Sequence, residues 1–171
     1  ARGNVTIDVF GFVQVAGGFA FDKSTKSVRL AGDAAVEDDA ATANDESLVA
    51  VDLLTVGASG VDIFAGLRGG TADELGLQLT GGAFALALMS EQGQADGRSW
   101  TALQATASGV SFVGVEGLTV SGSDLSVNVN RAAADGTVVD FGWIDEADQA
   151  QGRRTELSVA TGPGSSLALE M

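Results

Sequence analysis

Residues 76–88 read GLQLTGGAFALAL, and this stretch decides the fold that we expect for the chain. Its leucines occupy odd positions up to Leu79, and its large apolar residues occupy even positions from Phe84 onwards. Alternation with a period of two predicts a β-strand with one buried face. A change of parity turns the apolar residues to the wrong face unless a β-bulge absorbs one extra residue. We therefore predict two strand segments joined by a bulge at Gly81 and Gly82.

Two other stretches share this pattern. Residues 11–21 read GFVQVAGGFAF and residues 117–129 read GLTVSGSDLSVNV, with a change of parity after Gly122 in the latter. Each of the three stretches begins with a glycine, continues as an alternating strand and has a second glycine five or six residues on. We predict a further bulge at Gly122. The large apolar residues that follow the second glycine are expected to be equivalent core anchors: Phe19, Phe84 and Leu125.

A second motif precedes two of these stretches. Residues 58–66 read ASGVDIFAG and residues 107–114 read ASGVSFVG. Two motifs that recur in the same order indicate internal duplication, which is typical of repeat architectures. We predict a single all-β module over 1–171, with a β-solenoid-like or stacked-sheet architecture with glycine bulges, or alternatively a β-sandwich. Its degenerate internal repeats are expected at about 11–30, 58–90, 107–131 and 157–171.

The remaining segments complete a β-rich prediction. The alternation from Val5 to Phe21 predicts one long strand, or two collinear strands bent at a glycine. The nearly continuous apolar run from Leu48 to Val56 predicts a central strand covered on both faces. Shorter strands are expected at 100–106 and 138–143, brief helices at 71–75 and within 37–48, and polar loops at 22–27, 92–97 and 132–136.

Composition excludes several classes of function. The 171 residues contain 23 Asp and Glu against 9 Lys and Arg, which gives a net charge of −14. Such a chain repels phosphate backbones and anionic lipid surfaces, so we expect neither nucleic-acid binding nor membrane insertion. Cys and His are absent. Thiolate nucleophiles, disulfides, imidazole bases, zinc fingers and most transition-metal sites are therefore excluded.

The acidic segment 37–47, EDDAATANDES, is the best candidate for a site. Its side chains offer the hard oxygen ligands that Ca²⁺ prefers. The spacing matches neither an EF-hand loop nor the glycine-rich nonapeptide of calcium-binding β-rolls. A solvated acidic hairpin loop explains the segment equally well, as it does a second cluster at Asp145, Glu146 and Asp148. The calcium ligands that we consider are Asp38, Asp39, Asn44, Asp45 and Glu46.

The chain is not expected to be an enzyme. A carboxylate pair such as Asp38 and Asp39 suits a glycosidase only inside a cleft with aromatic platforms. Trp100 and Trp143 lie in strand patterns where core packing is the commoner outcome. A catalytic serine would have no histidine, and Lys23 lies in a polar turn.

Long stretches of the chain resemble a known kind of protein. The stretches are FGFVQVAGGFAF from Phe10, VDLLTVGASGVDIFAG from Val51, GGTADELGLQLTGGAFALALM from Gly69, the segment that begins WTALQATASGVSFVG at Trp100, and VATGPGSSLALEM from Val159. They resemble the repeating unit of giant, glycine-rich, exported or surface proteins of environmental bacteria, to which calcium-binding and hemolysin-like functions are ascribed. The resemblance implies an extracellular, repetitive, non-enzymatic protein of which this chain is one unit, and it supplies no catalytic residue.

Together these observations predict a structural repeat module of a long extracellular or cell-surface fibre. Its partners are expected to be copies of itself, joined through exposed strand edges. Two alternatives stay open: a calcium-dependent adhesin-type module that uses the acidic loops, and a lipid-binding β-groove lined by an apolar strand face.

Overall fold

The computed structural model describes residues 1–31, 48–94, 96–141 and 157–170, and in these residues the chain is all-β, as predicted. No helix is present in the described ranges. The strands are β1 (Arg2–Val9), β2 (Val13–Ala31), β3 (Leu48–Leu67), β4 (Leu75–Glu91), β5 (Ser99–Val113), β6 (Val120–Arg131), β7 (Val138–Val139), β8 (Leu157–Gly162) and β9 (Ser165–Leu169).

Six long strands form one antiparallel meander. Strands β1 to β6 pair in chain order, and the short β7 pairs with the end of β2 at Leu30 and Ala31. Strands β8 and β9 form a separate two-stranded hairpin that contacts β2, β3 and β4. The architecture is therefore one of stacked sheets, with the meander as the large layer and the hairpin as the small one, and it does not coil as a solenoid.

Four neighbouring strands carry an extra residue at the same level of the meander. In β3 the side chains of Ala58 and Val61 lie on the same face of the sheet, although two residues separate them. In a regular strand one residue separates neighbours on the same face. The same insertion occurs in β4, β5 and β6. Strand β2 has no insertion, which explains the register shift between β2 and β3. The inserted pairs are Ser59-Gly60, Thr80-Gly81, Ser108-Gly109 and Ser123-Asp124.

This line of bulges keeps the large apolar residues on one face of the meander. We call this the outer face and the opposite one the inner face. Rows of directly paired residues cross the sheet on the outer face. One row joins Val9, Val13, Ala65, Leu77, Phe112 and Val120, and another joins Phe21, Val56, Leu86, Leu103 and Val129.

The hydrophobic core lies on the inner face, on one side of the bulge line. We call this side, which contains Trp100, the covered half, and the side next to the β1–β2 turn the open half. Leu53, Met89 and Trp100 each retain 2% exposure in the covered half. They pack with Leu157, Val159 and Leu169 of the hairpin, with Val139 of β7 and with Phe141, which follows β7.

Small inward-facing residues let the hairpin approach the meander closely. A Cβ at Gly57 would lie 2.1 Å from the Ala160 carbonyl oxygen, so only glycine fits. Ala85 and Ala87 of β4 are fully buried beside it. Ser59, the first inserted residue of β3, lies 3.1 Å from the Ser165 hydroxyl at the start of β9. Glycine and alanine at these inward positions therefore let the backbone of the hairpin come close to the meander.

The alternation from Val5 to Phe21 belongs to a hairpin, and the prediction of one long or bent strand was wrong. The chain reverses at Phe10 and Gly11, whose φ angles are 52° and 70°. The Phe12 N–H donates to the Val9 carbonyl and closes the turn at 2.9 Å. Positive φ at both central residues suits the right-handed twist of a hairpin, but phenylalanine rarely adopts it, and this obscured the turn in the sequence.

Other local predictions also need correction. The run 48–56 lies in the central strand β3, but one face is open, since Leu53 is buried and Leu54 is 39% exposed. Residues 22–27 belong to β2 instead of a loop, because they continue its pairing with β3. Residues 71–74 form turns and not a helix. The expected polar segments at 92–97 and 132–136 do lie in turns and loops, apart from Ala95, which is outside the described residues.

The similar stretches of sequence occupy equivalent places in the meander. Residues 11–21, 76–88 and 117–129 lie on or next to β2, β4 and β6, which run in the same direction. The two ASGV motifs lie on β3 and β5 and supply their bulges. Each pair of strands in the meander is thus one candidate repeat unit. Duplication itself stays a prediction. The described part of the last predicted copy (157–171), residues 157–170, contains the separate hairpin and does not extend the meander.

Candidate assembly interface

The first open edge of the meander is β1. Ala1 and Phe21 exchange both backbone hydrogen bonds, at 2.6 and 2.7 Å. In an antiparallel ladder the direction of the backbone groups alternates, so the odd residues of β1 bond to β2 and the even residues point away from it. In the described residues β1 pairs with β2 alone. The outward N–H and C=O groups are those of Arg2, Asn4, Thr6 and Asp8.

The second open edge is β6. Among the described strands it pairs with β5 alone, along Val120 to Arg131. All of its side chains are exposed except that of Asn130, whose amide donates to the Val139 carbonyl at 2.8 Å. Neither edge strand contains proline. Before Arg131, two features of β6 oppose pairing with another strand. They are the bulge at Asp124, with a φ of 53°, and the charge of that residue.

The two edges match in direction and position. A six-stranded meander places its first and last strands in opposite directions. The rows of paired residues place Val9 at the level of Val120, and Gly3 at the level of Val127. Strand β6 of one copy can therefore lie antiparallel to β1 of the next with both faces of the sheet continued.

The outer face is a broad apolar surface. Its central side chains partly shelter one another, since Ala58 is fully buried between Phe19 and Phe84, its partners on the neighbouring strands. Its margins are more open. Exposed apolar residues on this face are Val5, Ile7, Val9, Val13, Phe21, Leu54, Leu77, Leu88, Val120, Leu125, Val127 and Val129.

The inner face of the open half forms a partly open cavity of about 370 Å³ with both polar and apolar residues in its lining. Asp8, Gln14, Asp62, Glu74 and Gln78 contribute to its lining. The Asp8 carboxylate accepts from the Gly11 N–H at 2.8 Å and from the Gln14 amide at 2.9 Å. These hydrogen bonds, the backbone one first, lower the pKa of Asp8. The carboxylate is thus already bonded within the chain, and it stabilises the β1–β2 turn.

An ion-pair group supports the covered half. Arg98 donates to both oxygens of Glu91, at 2.9 and 3.0 Å, and to Asp135 at 3.4 Å. Hydrogen bonding from Arg98 lowers the pKa of Glu91, and hydrogen bonds from Thr137 lower the pKa of Asp135. The Arg98 guanidinium also lies 5.4 Å from the centre of the Trp100 ring. Trp100 itself is buried and donates to the Thr137 carbonyl, so it packs in the core and offers no sugar platform.

The structure shows where the predicted bulge residues lie. Gly81 has a φ of 60° and belongs to the inserted pair of β4. Gly82 follows it, and a Cβ there would lie 3.0 Å from the Val61 carbonyl. Gly122 does not have positive φ and has open space around it, so it is not the pivot of its bulge. Asp124, two residues later, has the left-handed conformation instead, which an acidic residue tolerates.

The predicted anchors form two groups. Phe19 and Phe84 lie in the same row, on either side of Ala58, and both are half-buried. Leu125 pairs with Ala107 in a neighbouring row and is 44% exposed, so it is not a core anchor. All three face outwards, because the core lies on the inner face. Sequence alternation identified the shared face correctly and could not tell which face receives the second layer.

The predicted calcium ligands Asp38, Asp39, Asn44, Asp45 and Glu46 lie outside the described residues, as do Asp145, Glu146, Asp148 and Trp143. Within the described ranges no three acidic side chains are arranged to hold a metal ion. The calcium site therefore stays a prediction.

Comparison with protein-family models, with curated proteins and with solved structures gave no match. The segments that the structure describes include no helix long and apolar enough to cross a membrane. The features available for a functional argument are thus the two edges, the outer face and the inner cavity.

Proposed function

We propose that the chain is a structural module that joins copies of itself edge to edge into a long β-sheet. The observation that carries this proposal is the match of β1 and β6 in direction and level. An unpaired edge costs a solvated monomer little, but it is a template for another strand. Placement in an extracellular or cell-surface fibre rests on the resemblance of the sequence alone.

The proposal specifies a register. If β6 of one copy pairs with β1 of the next along the rows of the meander, Val127 lies opposite Gly3 and Ser126 lies opposite Asn4. The outer-face row of Phe21 and Val129 and the row of Val9 and Val120 then run on from copy to copy. Each joint adds a ladder about as long as β1, which is eight residues.

Negative-stain electron microscopy across a concentration series is the first test. We expect filaments or ribbons whose length grows with concentration and whose repeat equals the width of one meander. Copies of the six-stranded meander joined edge to edge repeat every six strand spacings, or about 29 Å. Compact particles of one size at every concentration would exclude self-assembly by this module alone.

Disulfide trapping tests the register. The chain has no native Cys, so Asn4→Cys combined with Ser126→Cys introduces the only thiols. Within one copy these residues lie about 24 Å apart, far beyond the Cα separation of about 4.4–6.8 Å that a disulfide needs. Oxidation should therefore yield covalent multimers. The matched control is Thr6→Cys with Ser126→Cys, which is two residues out of register and should cross-link poorly. Equal cross-linking by both pairs would contradict the proposed register.

Removal of one outward N–H tests the role of the edge itself. Thr6 belongs to the even residues of β1, so Thr6→Pro deletes an N–H that points away from β2 and leaves the β1–β2 ladder bonded. We expect filaments to disappear while the melting temperature changes little. Thr6→Val, which keeps the N–H, should still assemble.

A further inference from the structure

The outer face has no charged residue at its outward-facing strand positions between the level of Val9 and the level of Val129. The first charges on that face are Lys23 and Arg131, one row beyond. Asp124 lies at the edge, in the inserted pair of β6. In a chain of net charge −14 this is a large uncharged area.

The size of this face approaches that of one side of a stable protein interface. Five strand spacings of about 4.8 Å and eight residue steps of about 3.4 Å give roughly 24 by 27 Å, or about 650 Å² before side-chain relief is counted. A standard interface removes about 800 Å² of accessible surface from each partner. The largest apolar patch of an ordinary monomer is about 300–600 Å². Exposure of the whole outer face to water would thus be unusual.

We infer that the outer faces of two copies pack against each other, so that the assembled form is a double layer of meanders. A second copy offers a face of the same size with the same lack of charged residues. An anionic membrane or nucleic acid would be repelled by the chain as a whole. A second copy carries the same net charge, but the strand rows of two outer faces bring no carboxylate into the contact, since Asp8, Asp62 and Glu74 face the inner cavity. Asp124 lies at the edge of the face.

The outer face has large and small side chains side by side, and such a surface suits packing against a second sheet. Two apolar sheets pack about 10 Å apart with interdigitated side chains. The row of Phe19, Ala58, Phe84, Ala105 and Val127 alternates large and small residues across the strands. The rows next to the bulges contain Gly17 and Gly82. A facing sheet therefore meets ridges and depressions, and its own exposed leucines, such as Leu77, supply side chains to fill them.

The face contact is independent of the edge contact, so the two proposals can fail separately. The test uses the full chain with Thr6→Pro, which suppresses edge growth. Sedimentation equilibrium should then report a dimer, twice the 17.1 kDa of one chain. Adding Leu77→Glu places a carboxylate on the outer face. We expect the dissociation constant of the dimer to rise at least about 30-fold.

Matched variants make the result specific to one face. Gln78→Glu changes the net charge equally, lies one residue away on the inner face and should leave the dimer intact. Val127→Glu and Asn128→Glu repeat this comparison on β6. Fluorescence of the buried Trp100 checks that each variant is folded.

Three outcomes would overturn the inference. A monomer at every concentration excludes a face-to-face dimer. A dimer that both Leu77→Glu and Gln78→Glu leave unchanged must use another surface. A monomer that floats with neutral phosphatidylcholine vesicles, and loses them with Leu77→Glu, assigns the outer face to lipid.

Discussion

The covered half and the open half of the meander are built from the same strands and differ in what lies on their inner face. In the covered half the inner residues of β3 and β4 include Leu53, Ala87 and Met89, and the hairpin closes over them. In the open half the same strands present Asp62 and Gln78 to a water-accessible cavity.

The difference lies in side-chain volume and polarity, since both halves have the period of a strand. Gly57 and Ala85 remove bulk where a second layer docks, whereas Gln14 and Asp62 offer polar groups that no layer covers. In a long sheet, alternation therefore indicates that a strand has two faces, and uncovered polar residues such as Asp62 distinguish the open half from the covered half.

The largest effect is expected at the point of closest approach. Gly57→Ala places a Cβ 2.1 Å from the Ala160 carbonyl oxygen, so the hairpin must shift and the core opens. We expect a loss of about 4 kcal/mol in the free energy of unfolding, measured by urea titration. Gly122→Ala, in open space on β6, should change stability by less than about 0.5 kcal/mol. Equal losses would show that hairpin docking does not distinguish the halves.

Two adjacent leucines compare the faces of β3 in the covered half. Leu53 is buried against the hairpin side, and Leu54 projects from the outer face. Leu53→Ala should cost about 3 kcal/mol, since it removes buried methyl groups and leaves a cavity. Leu54→Ala should cost less than about 1 kcal/mol in the monomer. Urea unfolding of both variants in the Thr6→Pro, Leu77→Glu background, which we expect to be monomeric, measures the contrast. A costly Leu54→Ala there would mean that the outer face is covered within one chain.

A smaller effect is expected at the bulge line. Asp124 adopts positive φ at a position where the other bulges of this kind have glycine. Asp124→Gly should raise stability by up to about 1 kcal/mol by relieving the left-handed conformation. Gly81→Ala is the reverse change and should destabilise, because its Cβ would also lie 2.6 Å from the Ser108 hydroxyl. A destabilised Asp124→Gly would mean that the acid has a role beyond the turn.

The smallest effect is expected from pH. The pKa values of Glu91 and Asp135 are lowered in the folded chain by Arg98 and Thr137, and that of Asp8 by Gly11 and Gln14. Carboxylates with lowered pKa contribute stability above their unfolded pKa of about 4, and this contribution is lost as the pH falls through the lower folded values. Urea midpoints should fall modestly below about pH 4, since exposed ion pairs contribute little. Arg98→Gln should remove most of the part due to Glu91.

Much of the fold follows from the sequence, and the errors have local causes. The changes of parity predicted bulges in β4 and β6, but not that β3 and β5 have them at the same level, since the glycine-rich ASGV motifs obscure the alternation. The Phe10-Gly11 turn was missed because phenylalanine is rare at positive φ. The polar run of β2 resembles a loop, although pairing with β3 holds it in the sheet.

The candidate interface was predictable only in outline. Exposed strand edges were expected from the repeat pattern, but their identity requires the order of the strands. The exposed outer face could not be inferred, because an apolar alternating face normally indicates a core. Here the core forms on the other face, through residues such as Gly57 and Ala87 that alternation alone would assign to the solvent side.

The meander also determines how the chain would respond to tension. Apart from residues 32–47 between β2 and β3, which lie outside the described residues, short connections join neighbouring strands at alternate ends. Tension on the two edge strands therefore breaks the hydrogen bonds of a ladder one after another. The covered half resists this opening, because the hairpin bridges β2, β3 and β4, whereas β6 has no second layer over most of its length. Such a module would unfold strand by strand from the β6 side, and the strands covered by the hairpin would be the last to separate.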